Sequence, residues 1–204
     1  MNSNQPREVT LQGLAQLSLR ANVAFAVRCA KRMRPFFAIP VDAPRRREQV
    51  AAVDGAIRVA TAFCQSLPPE SGLAAAAVQR ATAVAQETCQ FTRFSGYAAV
   101  RAAEAAACAE EVVRNPAASR IEVVAAAFGA GRVLAANADR GALDLVVAAL
   151  CADLEKLQTL APRGTEPLGP PLDPSETGPL GSLWPAGTPS SWGGLESELS
   201  SEAE

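Results

Sequence analysis

Histidine does not occur once in these 204 residues. Its absence removes Ser-His-Asp and Cys-His catalysis, imidazole metal ligands and a histidine pH switch. Cysteine is sparse. Cys29, Cys64, Cys89, Cys108 and Cys151 stand far apart, and no CxxC occurs. Five isolated cysteines inside helical patterns read as reduced core residues of a cytosolic protein, not as a disulfide frame or a zinc site. The alternative is one reactive thiol, Cys29, because nearby Arg28, Lys31 and Arg32 would lower its pKa. Aromatic residues make up only 5% of the chain. No uncharged apolar run reaches the ~18 residues a membrane span needs. The opening MNSNQPREVT has neither the basic start nor the apolar stretch of a signal peptide. The expectation is a cytoplasmic protein with no membrane contact.

Alanine is what the chain has instead, at 43 residues. Alanine has the best helix propensity and the smallest apolar side chain. The fold class expected is all-α, an antiparallel bundle of about six helices; stacked helical hairpins are a variant. Composition changes after Pro162. Residues 163–204 hold 7 Pro, 7 Gly and 7 Ser, with one Arg against 7 acids. Such a stretch buries too little apolar surface to offset its ordering entropy. Three segments are therefore expected: a flexible 1–10, an alanine-rich helical domain 11–162, and a disordered acidic tail 163–204. Both tryptophans fall in that tail. There Leu183, Trp184, Trp192 and Leu195 read as anchors of a short docking motif. Another reading folds the acidic tail back on the basic first third, as an intramolecular competitor for a partner.

The 3-4 spacing of apolar residues marks the helices. Leu19, Val23, Ala26, Ala30, Met33 and Phe37 predict one from Leu11 or Ser18 to Phe37, with Pro35 threatening its last turn. Val50, Val53, Ile57, Ala60, Cys64 and Leu67 predict a second from Pro44 to Ser66. A third covers about 71–93, with Leu73, Ala77, Ala81, Val84, Thr88 and Phe91 inward. A fourth covers 96–114, with Arg101, Glu104, Cys108 and Glu111 on a polar line. A fifth starts at a capping box, Ser119 and Glu122, and contains Gly129 and Gly131. The sixth covers 141–160, on Leu143, Val147, Leu150, Leu154 and Leu157.

Charge concentrates early. Between residues 28 and 47, seven cations face one acid, Asp42. Arg28, Lys31 and Arg32 share one side of the first helix, with Arg34 off that line. Arg45, Arg46 and Arg47 open the second helix, where the macrodipole disfavours positive charge unless an anion compensates. These seven residues are either a plain solvated face, as most charge runs are, or the candidate partner-binding surface, for an acidic protein or this chain's own tail. Nucleic acid is the lesser alternative, because no aromatics interleave the cations and no nucleic-acid-binding signature occurs. Catalytic candidates are thin. Glu104, Glu110 and Glu111 with Arg101 read as surface ion pairs. Glu87, Asp139, Asp144 and Asp153 would need to converge from separate helices to hold a metal, without the Glu-x-x-His that bundle sites use. No catalytic residue, metal or cofactor is expected.

The segment Cys29-Ala30-Lys31-Arg32-Met33-Arg34-Pro35-Phe36-Phe37 is followed by a loop with Asp42 and Pro44, then the Val50–Ala60 stripe. This pattern resembles the opening of an alanine-rich helical family of immunity proteins in bacterial toxin systems, over about 50 residues. The resemblance implies a bacterial, non-enzymatic binder of a toxin or conflict-system protein. An uncovered Ala/Leu stripe would also allow a homodimer.

Overall fold

The computed structural model describes residues 11–37, 39–40, 42–65, 72–88, 100–107, 109, 140–164 and 166–189. These form an all-α bundle: α1 (Leu11–Ala15), α2 (Leu19–Met33), α3 (Arg46–Gln65), α4 (Leu73–Thr88), α5 (100–107) and α6 (Arg140–Leu160). Among the described residues there is no strand, only an isolated bridge between Leu17 and Pro162. The expected fifth helix, with Gly129 and Gly131, lies outside the described residues.

The first expected helix is three pieces. The side chain of Ser18 accepts from the Ala21 amide at 3.4 Å and starts α2 afresh. At the other end Pro35 has no N–H to continue the ladder. The chain tightens there into a 3-10 turn, Arg34–Phe36, closed by the Phe37 amide on the Arg34 carbonyl at 2.9 Å. The start of α3 comes two residues after Pro44, because Arg45 sits in the left-handed region at φ 65°.

Contacts between helix ends show the layout. The start of α2 meets the end of α3, where the Cys64 thiol faces the Arg20 carbonyl. The start of α3 meets the end of α4, through Arg45 and Gln49 on Glu87. The start of α2 also meets the end of α6, through the Ser18 amide on the Ala161 carbonyl. Neighbouring helices thus run antiparallel, as short connections favour.

α2 is the central element. Every residue from Arg20 to Met33 except Lys31 is buried. Val23, Phe25, Val27 and Phe37 join Val53, Phe63, Leu150, Leu154 and Leu157 in one core. Ala21, Ala24, Ala30, Ala56, Ala60, Ala81, Ala102, Ala105 and Ala106 are fully buried, so the helices approach closely. The expected inward stripes hold in α3 at Val53, Ile57, Ala60 and Cys64, and in α4 at Ala77, Ala81, Val84 and Thr88. Leu73 departs from its stripe and is exposed.

Disorder is expected of residues 163–204; the described ones among them, 163–164 and 166–189, instead lie on the bundle as an irregular strap, without helix or strand. Leu172 and Leu180 are buried in the main core, and Trp184 packs against it. Composition argued that this segment could not make a core of its own. It does not; it borrows one. Residues 190–204, with Trp192 and Leu195, lie outside the described residues.

Candidate interaction site

The amphipathic reading of α2 gives its cations to water. The structure corrects that for Arg28 and Arg32. Arg28 is 0% exposed and Arg32 2%. The face opposite Val23 and Ala30 is covered by α6 and the strap, so neither residue is an open partner surface.

An unpaired guanidinium could not stay buried. Arg28 Nε donates to Asp153 Oδ1 at 2.9 Å, and Arg32 Nη2 lies 2.7 Å from Asp153 Oδ2. Asp153 is itself 2% exposed. One carboxylate therefore serves two guanidiniums, and main-chain carbonyls of the strap accept from both Nη atoms of Arg28 and from Nε of Arg32. Arg28 Nη1 donates to Gly181 O at 2.9 Å and Nη2 to Ser182 O at 2.7 Å. A longer contact, 3.5 Å, runs from Arg28 Nη1 to Pro174 O. Arg32 Nε donates to Leu183 O at 2.9 Å. Lys156 of α6 donates to Leu180 O at 2.6 Å.

The strap carries matching devices. Leu180 is buried completely beneath it. Trp184 stacks on Arg32, its ring centroid 5.6 Å from the guanidinium carbon, a cation–π contact. Glu176 accepts from the Leu183 amide at 2.8 Å and so closes the loop that aims these carbonyls. Asp173 accepts from the Ser175 amide at 2.9 Å, which holds its carboxyl below the usual value. The Leu172 amide donates to the Cys64 carbonyl at 2.8 Å. It thereby satisfies an orphan acceptor at the end of α3. Gly169, at φ 74°, passes so close to Ser18 that any Cβ would overlap that side chain.

The other sequence-derived site residues fall elsewhere. Lys31 is half-buried; burial lowers its pKa, partly offset by Asp173. Arg34 pairs with Asp54 at 2.5 Å on the outer side of α3. Arg45 bridges Glu48 at 2.9 Å and Glu87 at 3.2 Å. These two carboxylates are the compensating anions that cations at a helix start require. Arg46 donates to the Ile39 carbonyl at 3.2 Å. Arg47 is exposed. The seven cations are thus split between a buried cleft and an outer rim. On that rim a recess of about 380 Å³ opens between α3 and α4, lined by Arg45, Glu48, Gln49, Arg80 and Glu87 over small alanines.

Cys29 is corrected as a reactive thiol. Burial pushes it up to about 12, outweighing the lowering by Arg32. Arg101 is buried and pairs with Glu104 at 2.5 Å. Burial pushes Glu104 up to about 7, against the pull of Arg101. Among the described residues no three acidic or thiol groups converge as a metal site. Asp153 belongs to the arginines, Glu87 to Arg45 and Gln49, and Asp144 is exposed. Asp139 lies outside the described residues. No described helix is long and apolar enough to cross a membrane.

Sequence reasoning singled out Leu183 and Trp184, weighed Asp153 only as a metal ligand, and passed over Leu172, Leu180 and Lys156. Leu172 and Leu180 left one signal, isolated leucines in a stretch otherwise built of proline, glycine and polar residues. Asp153 left another, a lone acid between Leu150 and Leu154 on the buried stripe of α6.

Comparison finds no matching family model, no matching curated protein and no matching solved structure. The immunity-type resemblance rests on the sequence alone.

Proposed function

We propose that this chain is a non-catalytic helical interaction module. Its basic cleft between α2 and α6 holds an acidic partner segment, and the strap is the resident competitor. One observation carries the reading: Arg28, wholly buried, directs its donors to Asp153 and to main-chain carbonyls of the strap. The cleft binds an extended chain mainly through its backbone, the logic of peptide-recognition grooves. Charge supports it too. Arg28, Lys31, Arg32 and Lys156 outnumber Asp153 on the wall, while the strap brings Glu166, Asp173 and Glu176.

The resemblance to immunity proteins suggests the specific form, capture of a toxin or conflict-system protein with an acidic surface. The nucleic-acid alternative loses support. Arg28 and Arg32 are buried, and Arg34 and Arg45 face carboxylates of this chain.

Hydrogen exchange tests the reading. A competitor must leave its cleft without unfolding the bundle, so the amides of Leu172, Gly181 and Leu183 should exchange by local opening, faster than those of α2 and α6. Exchange of all of them only through global unfolding would defeat it.

A further inference from the structure

The cleft wall is a row of donors. Four consecutive strap carbonyls meet it: Leu180 at Lys156, Gly181 and Ser182 at Arg28, and Leu183 at Arg32. Guanidinium and ammonium groups donate and never accept. A chain lying on such a wall gains by bringing acceptors and loses by bringing amide N–H groups that find no partner. Proline offers a carbonyl and no N–H. The strap has proline at positions 167, 170, 171, 174, 179, 185 and 189. Its Leu183 amide, which points away from the wall's donors, is taken by its own Glu176.

The strap is also held in two separate parts. The first part is fixed to the start of α2: the Ser18, Leu19 and Arg20 amides donate to the Ala161, Pro167 and Leu168 carbonyls. Arg20 Nη1 adds a bond to Gly169 O at 2.9 Å. Residues 172–184 are fixed by Cys64, Arg28, Lys156 and Arg32. Pro170 and Pro171 join the two parts and are exposed. Nothing in the first set of bonds must break for the second part to leave.

Resting on the reading above, we propose that the partner of this cleft is an extended, acidic, proline-rich peptide of the strap's own kind. It presents a run of carbonyls to Arg28, Arg32 and Lys156, a leucine to the Leu180 pocket and an aromatic ring to Arg32. Backbone recognition makes the wall tolerant of sequence between those two anchors. The cis strap sets the threshold, because its tether gives it an effective concentration of about millimolar order.

The test uses the full chain carrying Leu180→Ser, which empties the pocket in cis and leaves the wall intact. The probe is a fluorescein-labelled peptide of residues 171–187. Saturable 1:1 uptake is expected, and uptake by the parent chain should be weaker by about tenfold or more, as competition at tethered concentration requires. A peptide carrying Leu180→Ser should bind about tenfold less well, the scale of one lost apolar anchor. Retention of binding between 0.1 and 0.5 M salt is expected within about threefold, since desolvated contacts are screened little. Circular dichroism checks the fold; Trp184→Ala, at a half-exposed position, replaces Leu180→Ser if that variant unfolds.

Three results overturn the proposal. One is refusal of the peptide by a variant whose strap amides exchange freely; this leaves the interaction reading standing. Another is equal uptake of an oligoglutamate of the same length or of duplex DNA, which would make the wall a mere charged surface. The third is a concentration-dependent dimer without peptide uptake, which assigns the cleft to strap exchange between copies. Strap amides as protected as the core in both variants would instead defeat the interaction reading itself.

Discussion

Arg28 and Asp153 are 125 positions apart in sequence and meet at 2.9 Å, both buried. The pair joins the central helix to α6 at the point where the strap crosses. Arg32 shares the same carboxylate. Removing the acid leaves two guanidiniums uncompensated in the interior, so Asp153→Ala should cost about 3–5 kcal/mol. Arg34→Ala breaks a pair whose Asp54 is half-exposed, and should cost under about 1 kcal/mol. Urea denaturation of both variants checks this; equal losses would contradict it.

The strap depends on its buried leucine more than on the half-buried one beside the tryptophan. Leu180 is fully buried and Leu183 only partly. Leu180→Ala should cost about 2–5 kcal/mol, and Leu183→Ala clearly less. Hydrogen exchange at residues 172–184 reads the difference. The reverse order would shift the anchor to the position chosen from sequence.

Gly169 should tolerate no side chain. Its φ of 74° strains any L-residue, and a Cβ would overlap the Ser18 cap of α2. Gly169→Ala should therefore lower Tm and loosen the start of α2, whereas Gly187→Ala should cost less, since its φ of 96° is strained but its surroundings are open. Thermal melts of the two variants make the comparison.

Glu104 gives the stability a pH dependence of a defined sign. Its folded pKa, about 7, lies above the ordinary glutamate value of 4.5, chiefly through burial. The folded state then holds the proton more tightly than the unfolded chain. Stability from this group should fall as pH rises from about 4.5 through 7, and level off above. Glu104→Gln should flatten that slope and gain on the parent at pH 8 relative to pH 5. Parallel urea profiles at the two pH values would refute the assignment.

Much of the bundle was legible in the sequence, because apolar spacing reports burial on one side of a helix. Val53, Ile57 and Ala60, or Ala77, Ala81 and Val84, sit where the spacing puts them. The method fails for a helix buried on all sides. Arg28 and Arg32 look solvated because the residues that satisfy them, Asp153 and 181–183, are more than a hundred positions away. Nothing local in RCAKRMR encodes that carboxylate. The strap failed for a related reason. Composition judges whether a segment can fold alone, and Leu172 and Leu180 instead fill gaps in a core made by other elements. Trp184, which packs on the core and on Arg32, stood out because a tryptophan in such a segment has few other uses.

The central claim is that the strap lies on the Arg28–Arg32 face within one chain. Trp184 tests it directly once Trp192 is replaced by phenylalanine, leaving a single emitter. The account requires blue-shifted emission and partial protection from acrylamide, both little changed by 1 M salt, because the contacts beneath are carbonyl bonds from buried guanidiniums and apolar packing. Emission and quenching like those of a free tryptophan derivative would mean that the strap does not sit there, and that the cleft stands open.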